Sequence, residues 1–488
     1  MAVSSSHTER TGISLKKRIE VLTLPISRLM KKNAEIRKNS NCLLLYQIVW
    51  GILLLKENAD SALMLNCEAF EMEIRRDIYL NKLISKKHNK LIKVITGIRR
   101  CGKSYLLFNL FKDHLKSEGV SDAHIIEMAF DLYENIQYRD PKVFFPYIKE
   151  KIKDNEMYYV LLDEVQLLDE FEAILNSLSR MKNVDVYVTG SNAKFLSKDI
   201  ITEFRGRGDE IHMFPLTFRE FMSVYPGEGN AGWKEYVLYG GIPLILEIST
   251  PDQKVDFLKR LFDETYISDI VGRNSVRNKS ELEELLNILS SAIGSLTNPS
   301  KLSDTFKSVK HKTISQNTIK KYLGYFEDSF LLSSAYRYDI KGKRYIDTPL
   351  KYYFTDMGLR NARLNFRQVE ETHAMENIIF NELIVRGYNV DVGVVITNEV
   401  DKTGKKIRKQ HEIDFVCNKG SKRYYIQSAL TLHDDAKKEQ EQRSLLMTKD
   451  GFKKIIITKD AIAPLYNEDG VLIMGLFGFL LDENSLEI

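Results

Sequence analysis

Cysteine is scarce in this chain of 488 residues: Cys42, Cys67, Cys101 and Cys417 stand far apart with no C-x-x-C pair. That spacing argues against a zinc site or a disulfide framework and suits a reducing, cytoplasmic setting. Proline is equally thin, at ten residues, and the composition of 43% hydrophobic and 28% charged residues leaves no room for long disordered stretches. A large charge imbalance is missing too. The formal net charge is +4, too mild by itself to require a polyanionic partner, although local basic clusters can still make one. The most apolar run, "CLLLYQIVWGILLL" from Cys42 to Leu55, has 14 residues with Gln47 in its middle, whereas a spanning helix needs about 20. Some forty residues precede it and no small-x-small cleavage site follows, so it does not fit a secretory signal either. No membrane partner is expected.

The length suggests roughly three domains at about 150 residues each. After Glu71 the text changes character, and "MEIRRDIYLNKLISKKHNKLIKVITG" leads from Met72 into a glycine-containing loop. Residues 1–71 read as an N-terminal extension, either an added helical segment or a translated leader with Met72 as the start. Residues 72–230 then form an α/β nucleotide-binding core.

The strand pattern "LIKVIT" precedes the loop "TGIRRCGKS", and "SYLLFNLFKDHLK" follows it with apolar residues at helical spacing. Strand, loop and helix are the context that G-x-x-x-x-G-K-[ST] requires. Gly97 and Gly102 let the backbone amides turn toward phosphates, and the helix start adds its positive end. Lys103 is then expected to reach the β and γ phosphates and Ser104 to hold Mg²⁺, with Tyr105 beside them. Arg99 and Arg100 read either as solvated loop charges or as extra phosphate or partner contacts.

Hydrolysis also needs a carboxylate for the metal and a group that positions water. "MYYVLLDEVQLLDEFE" ends an apolar strand in both: Asp163 for the Mg²⁺ shell and Glu164 as general base. A third strand, "VDVYVTGSNA", closes on Thr189, Ser191 and Asn192, at the carboxyl edge where open α/β sheets bind ligands, and Asn192 is the candidate γ-phosphate sensor. Further on, Arg205 and Arg207 of "FRGR" read as an arginine finger acting in cis or in trans, or as partners of Glu203 and Asp209.

Together "TGIRRCGKS", "LLDEVQ", "VTGSNA", "FRGR", "FPLTFREF" and "YGGIPLIL" resemble a family of AAA-type P-loop ATPases of bacteria and archaea that carry an uncharacterised C-terminal domain. The resemblance runs over most of the chain from Met72 onward. It implies ATP with Mg²⁺, the roles given above for Asp163 and Glu164, and Arg207 as the finger ahead of Arg205. It implies no cellular task.

Residues 231–276 read as a helical lid, with "KVDFLKRLFDETYISDIV" apolar every three or four residues. In residues 277–347 three helical segments precede "SSAYRYDIKGKRYID", a hairpin pattern with "KGK" at its turn, which reads as a winged helix. Asn317, Lys320 and Lys321 would face DNA and Lys341, Lys343 and Arg344 its phosphates, unless the module serves protein contact. Residues 348–488 hold a helix, three strands, a helix and a strand. This order resembles a restriction-endonuclease-like PD-(D/E)XK core, which implies an Asp on one strand and E-x-K on the next. Asp414 fits the first position and Glu376 or Glu382 a helix acid, but the second reads Gln427, Ser428, Ala429, without carboxylate or lysine. The expected product is a nuclease-like scaffold that has lost cleavage. The basic stretch "KTGKKIRKQH" beside it reads as a solvated loop or a contact for nucleic acid or an acidic partner.

The leading expectation is therefore an ATPase whose nucleotide state drives a module binding DNA or a protein partner, in a chain whose self-association into a homo-oligomer is left open. Two other readings stand beside it: a nucleotide-gated adaptor with negligible turnover, and an active metal-dependent nuclease.

Overall fold

The computed structural model describes residues 73–190, 208–310, 313–367, 370–400 and 406–488. The apolar run Cys42–Leu55 lies outside them, and so do Ser191, Asn192, Arg205 and Arg207. No helix among the described residues is long and apolar enough to cross a membrane.

Five strands form the first sheet: β1 (Ile92–Thr96), β2 (Ile125–Ala129), β3 (Tyr158–Asp163), β4 (Val184–Thr189) and β5 (Gly208–His212), in the order β2-β3-β4-β1-β5. All pairings are parallel. Every residue of β1, β3 and β4 is buried, as expected where helices cover both faces of a parallel sheet, and the two charges within them, Lys93 of β1 and Asp185 of β4, pair with each other. The register sets Ala129 opposite Asp163, Leu162 opposite Val188, and Ile95 opposite Thr189. Three separate polar strand ends thereby meet at one carboxyl edge.

Helices follow: Gly229–Tyr239, a long helix over 251–274 with a π-helical stretch at Leu261–Ile267, then Lys279–Ser291, Pro299–Lys310 and Gln316–Asp328. On Gln316–Asp328, Tyr322 and Phe326 are buried and Tyr325 is packed against the core, while Asn317, Lys320 and Lys321 are exposed.

The hairpin β6 (Leu332–Asp339) and β7 (Arg344–Phe354) comes next, as expected in order but not in surroundings. β6 pairs in parallel with β8 (Asn389–Val400), so the hairpin is the edge of a second sheet rather than a free wing. Strand β7 passes straight through residue 347. That mixed sheet has eight strands in the order β12-β13-β11-β10-β9-β8-β6-β7, with β9 Lys406–Lys419, β10 Lys422–Ala429, β11 Lys453–Thr458, β12 Leu465–Tyr466 and β13 Leu472–Gly475. The helix Glu371–Val385 packs on one face and the helix Asp435–Leu446 on the other.

Residues 73–488 make one unit, and a continuous buried cluster runs from Tyr79 to Leu486. The motif "YGGIPLIL" is part of that joint. Gly241 donates its N–H to Asp356 at 2.7 Å, and a Cβ on Gly240, at φ 76°, would lie 2.2 Å from the same carboxylate. Burial pushes the Asp356 carboxyl up to about 6, against three backbone N–H groups that favour its charged form. The two glycines therefore serve close packing of the segment after the nucleotide-binding core on the C-terminal part.

Candidate functional site

The loop between β1 and the helix starting at Lys103 holds its shape through backbone conformations that side chains resist. Gly97 has φ 139° and Gly102 φ 98°, and a Cβ on Gly97 would meet the Met213 carbonyl oxygen at 2.2 Å. Both glycines are therefore required by geometry, whatever the loop binds. Arg100 also lies in the left-handed region, with φ 62°. The first helical turn, Lys103–Tyr105, runs directly into a π-helical stretch at Leu106–Phe111, a distortion often found at functional positions.

Lys103 is buried, and its Nζ donates to the carbonyls of Gly97 at 3.1 Å and Ile98 at 3.0 Å. Its ammonium thus lies inside the curve of the loop. Ser104 Oγ donates to Asp163 Oδ2 at 2.7 Å, while Thr189 donates to Oδ1 of the same carboxylate. Burial pushes the Asp163 carboxyl above its usual range, against those two hydroxyl hydrogen bonds. Glu164, next along, adopts φ 50° and donates its N–H to Thr189 Oγ1 at 3.2 Å. Its carboxylate accepts from the Gln166 amide. Thr189 thus fixes both acids, one by its hydroxyl proton and the other by its lone pair. Tyr105 is half-buried at the end of the first turn.

Arg99 is neither a free loop charge nor aimed at the loop interior. Its guanidinium pairs with Asp269 at 2.9 Å, and its carbonyl accepts from Tyr266 at 3.1 Å. Arg273 reaches the same Asp269 at 3.4 Å, and Glu164 is among the charges acting on it. Tyr266, Asp269 and Arg273 were not singled out from the sequence. Their i, i+3, i+7 spacing within "YISDIVGR" was the available signal, since it places three polar groups on one side of a helix.

A donor set of buried ammonium, open amide loop, serine hydroxyl and strand-end carboxylate matches what a Mg²⁺–nucleotide needs. The residues present fit that group. Among the described residues, no cluster of three or more His, Cys, Asp or Glu is arranged to hold a metal without other ligands.

A second cluster lies under the eight-stranded sheet. Lys351 of β7 is buried, with Nζ 2.8 Å from Glu376, 2.8 Å from Glu412 and 3.7 Å from Asp414. Burial alone would lower the Lys351 pKa, but the three carboxylates raise it above the usual lysine range. The sequence reading missed this lysine because it comes from another strand, not from the residue beside Gln427. Gln427 accepts from the Asp414 N–H at 3.4 Å and Ser428 donates its N–H to Asp414 at 2.9 Å. Of the two helix acids, Glu376 joins the cluster, while Glu382 pairs with Arg386 at 2.7 Å. A register shift between Asp391 and Gly393 marks a bulge where two β9 residues, Asp414 and Phe415, oppose one on β8, and such bulges re-aim side chains.

Burial, then Glu376, push the Asp414 carboxyl up to about 7, from an ordinary 3.8. A carboxyl with a raised folded pKa contributes stability that is complete below the unfolded value and is lost as pH rises through the folded one. Thermal midpoints should therefore fall between about pH 4 and pH 7. Asp414→Asn is expected to reduce that fall by a few degrees, roughly what 1–3 kcal/mol produces in a chain of this size. Identical pH profiles for the two proteins, measured by calorimetry, would rule this out.

Residues 89–222 match an AAA domain, and residues 230–370 match a domain of unknown function, DUF8612. The chain is 36% identical over 391 residues to an uncharacterized protein of Haemophilus influenzae, covering 79% of this chain and 93% of that protein. It is 28% identical over 383 residues to an uncharacterized protein of Methanocaldococcus jannaschii, covering 75% of this chain and 80% of the other. Among solved structures, it is similar to a Walker-type ATPase of Pyrococcus abyssi at 16% identity and a TM-score of 0.42, over 60% of this chain and 96% of the other.

Proposed function

We propose, for a chain that belongs to the same AAA-domain family as the uncharacterized Haemophilus influenzae protein, a Mg²⁺-dependent ATPase that passes its nucleotide state to the C-terminal part. The observation that carries this reading is the contact of Ser104 with Asp163 at 2.7 Å, beside an ammonium already seated in the loop. Loop, metal-holding pair and water-positioning acid then lie at one sheet edge.

In this reading Lys103 neutralises the phosphates, Ser104 and Asp163 hold Mg²⁺, and Glu164 takes a proton from water, oriented by Thr189 and Gln166. Bound Mg²⁺ supplies charge neutralisation on the phosphate oxygens. Arg273 adds a positive charge near Glu164, and the Arg99–Asp269 pair ties the loop to the helix that bears it. Arg205 and Arg207 are proposed as the finger, Asn192 as a sensor and Tyr105 as a nucleotide contact. A finger acting in trans would require a homo-oligomer.

The C-terminal part is proposed to be a nuclease-like module without cleavage, preceded by a winged-helix-like set of three helices and a hairpin, that meets DNA or a protein partner. Loss of cleavage is proposed because Gln427 stands where the second-strand carboxylate would be, and because no group of three or more His, Cys, Asp or Glu among the described residues is arranged to hold a metal. ATP hydrolysis by the purified full chain tests the first part. Ser104→Ala is expected to lower turnover at least 10-fold at fixed Mg²⁺, and equal rates in the two proteins would remove the assignment. Plasmid and linear DNA incubated with Mg²⁺ or Mn²⁺ should stay intact. Strand breaks that vanish in Asp414→Ala would instead favour an active nuclease.

A further inference from the structure

Strand β9 sorts its side chains by alternation, and this gives the basic stretch a direction. Residues 406, 408, 410, 412 and 414 share one face until the bulge, and they read Lys, Arg, Gln, Glu, Asp. Glu412 and Asp414 meet Lys351 on the side of the sheet where the helix Glu371–Val385 lies. Farther out, Gln410, Arg408 and Lys406 are exposed. Lys409 and His411 take the opposite face, where both pair with Glu399. What looked like a loop is thus, from Lys406 on, a strand with two different faces.

Arg337 of β6 anchors the outer part of this face. It is only 7% exposed, yet among the described residues no carboxylate pairs with it. Its Nη2 donates to Gln410 Oε1 at 2.8 Å, and its buried Nε has no hydrogen-bond acceptor. Arg344, the neighbour of Asp339 across the hairpin, lies 3.7 Å from that acid and is 70% exposed.

We infer that this face of the sheet, built by Arg337, Gln410, Arg408 and Lys406, binds the phosphate backbone of DNA. Arg337, held by Gln410 beneath this face, keeps a positive charge there that Gln410 does not neutralise. Arg408 and Lys406 continue outward in steps of about 7 Å along the strand, which suits a polymer with regularly repeated charges better than one isolated anion. At the inner end, the Lys351 cluster closes the path. The inference rests on the reading of the C-terminal part as a DNA-meeting module; it does not depend on ATP turnover.

The test uses the full chain without nucleotide and a labelled 30-base-pair DNA duplex, with anisotropy read across a salt series. Arg408→Ala and Lys406→Ala, both at exposed positions, should each weaken binding about 3-fold or more, and together about 10-fold or more. The double variant should also flatten the salt dependence by about one to two counterions. Arg337→Gln, which removes the charge beneath this face, should also weaken binding, and Arg337→Lys should restore part of it. Lys409→Ala, on the opposite face, should change affinity less than 2-fold. Equal losses from Lys409→Ala, unchanged binding in the double variant, or binding lost only in Lys320→Ala/Lys321→Ala would each overturn the inference. So would poly-glutamate that competes as well as DNA at equal charge, or RNA bound in place of DNA. ATP hydrolysis is measured in the same Arg408→Ala protein and should match wild type, so failure of the ATPase reading is seen separately from failure of this one.

Discussion

Lys103→Ala is expected to lower ATP affinity by a factor of about 10² to 10⁴, to the point where binding is lost at micromolar nucleotide. Its Nζ now donates to two loop carbonyls, at 3.1 and 3.0 Å, so the ammonium is already held inside the curve where phosphates would lie. Two charge-assisted hydrogen bonds at about 1.5–3 kcal/mol each set the size of the effect. The loop itself should survive the substitution, because its shape depends on Gly97 and Gly102 rather than on the lysine. Titration calorimetry with ATP and Mg²⁺ checks the result. Wild-type affinity in the variant would show that the loop does not bind nucleotide through this residue.

The second large effect is expected from Glu164→Gln: ATP binding kept, and hydrolysis slowed about 10²-fold or more, the range for a lost general base. The substitution changes one oxygen to an amide and keeps the backbone turn at φ 50° and the N–H bond to Thr189. Binding should be spared because the groups lining the loop are Lys103 and backbone amides. Single-turnover kinetics separate the two steps. A variant with unaltered turnover would move the base to another residue. A variant that also loses binding would mean that Glu164 holds the phosphate loop rather than water.

Parts of this arrangement were legible before any fold was known. Glycines at positive φ, a lysine and a serine at fixed spacing, and an apolar strand ending in two acids are local patterns. Each is set by backbone sterics or by burial within about ten residues. Asp163, Glu164 and Thr189 could be named for the same reason: each ends an apolar run, and parallel strands bring their ends to one edge. Arg99 shows where this stops. Nothing near "GIRRCG" tells a solvated arginine from one paired with Asp269, because that partner arrives only when the helix over 251–274 folds back on the loop.

The C-terminal part shows the same division more sharply. The sequence places Gln427, Ser428 and Ala429 where the resemblance implies E-x-K, yet the lysine of the cluster comes from β7, across three intervening strands of the sheet. The hairpin that reads as a free wing becomes a sheet edge once β6 pairs with β8.

The sequence by itself therefore determined the strand–loop–helix of the nucleotide site, the acids that end its strands, and the order of helices and strands beyond it. Those features depend on neighbours along the chain, whose spacing is fixed by covalent geometry. Tertiary structure alone decided that Lys351 fills the carboxylate cluster, that Arg99 is held by Asp269, and that the basic stretch from Lys406 on is a strand with one face toward the buried acids. Those outcomes depend on charges and strand edges far apart in sequence, which meet only when a shared core brings them together.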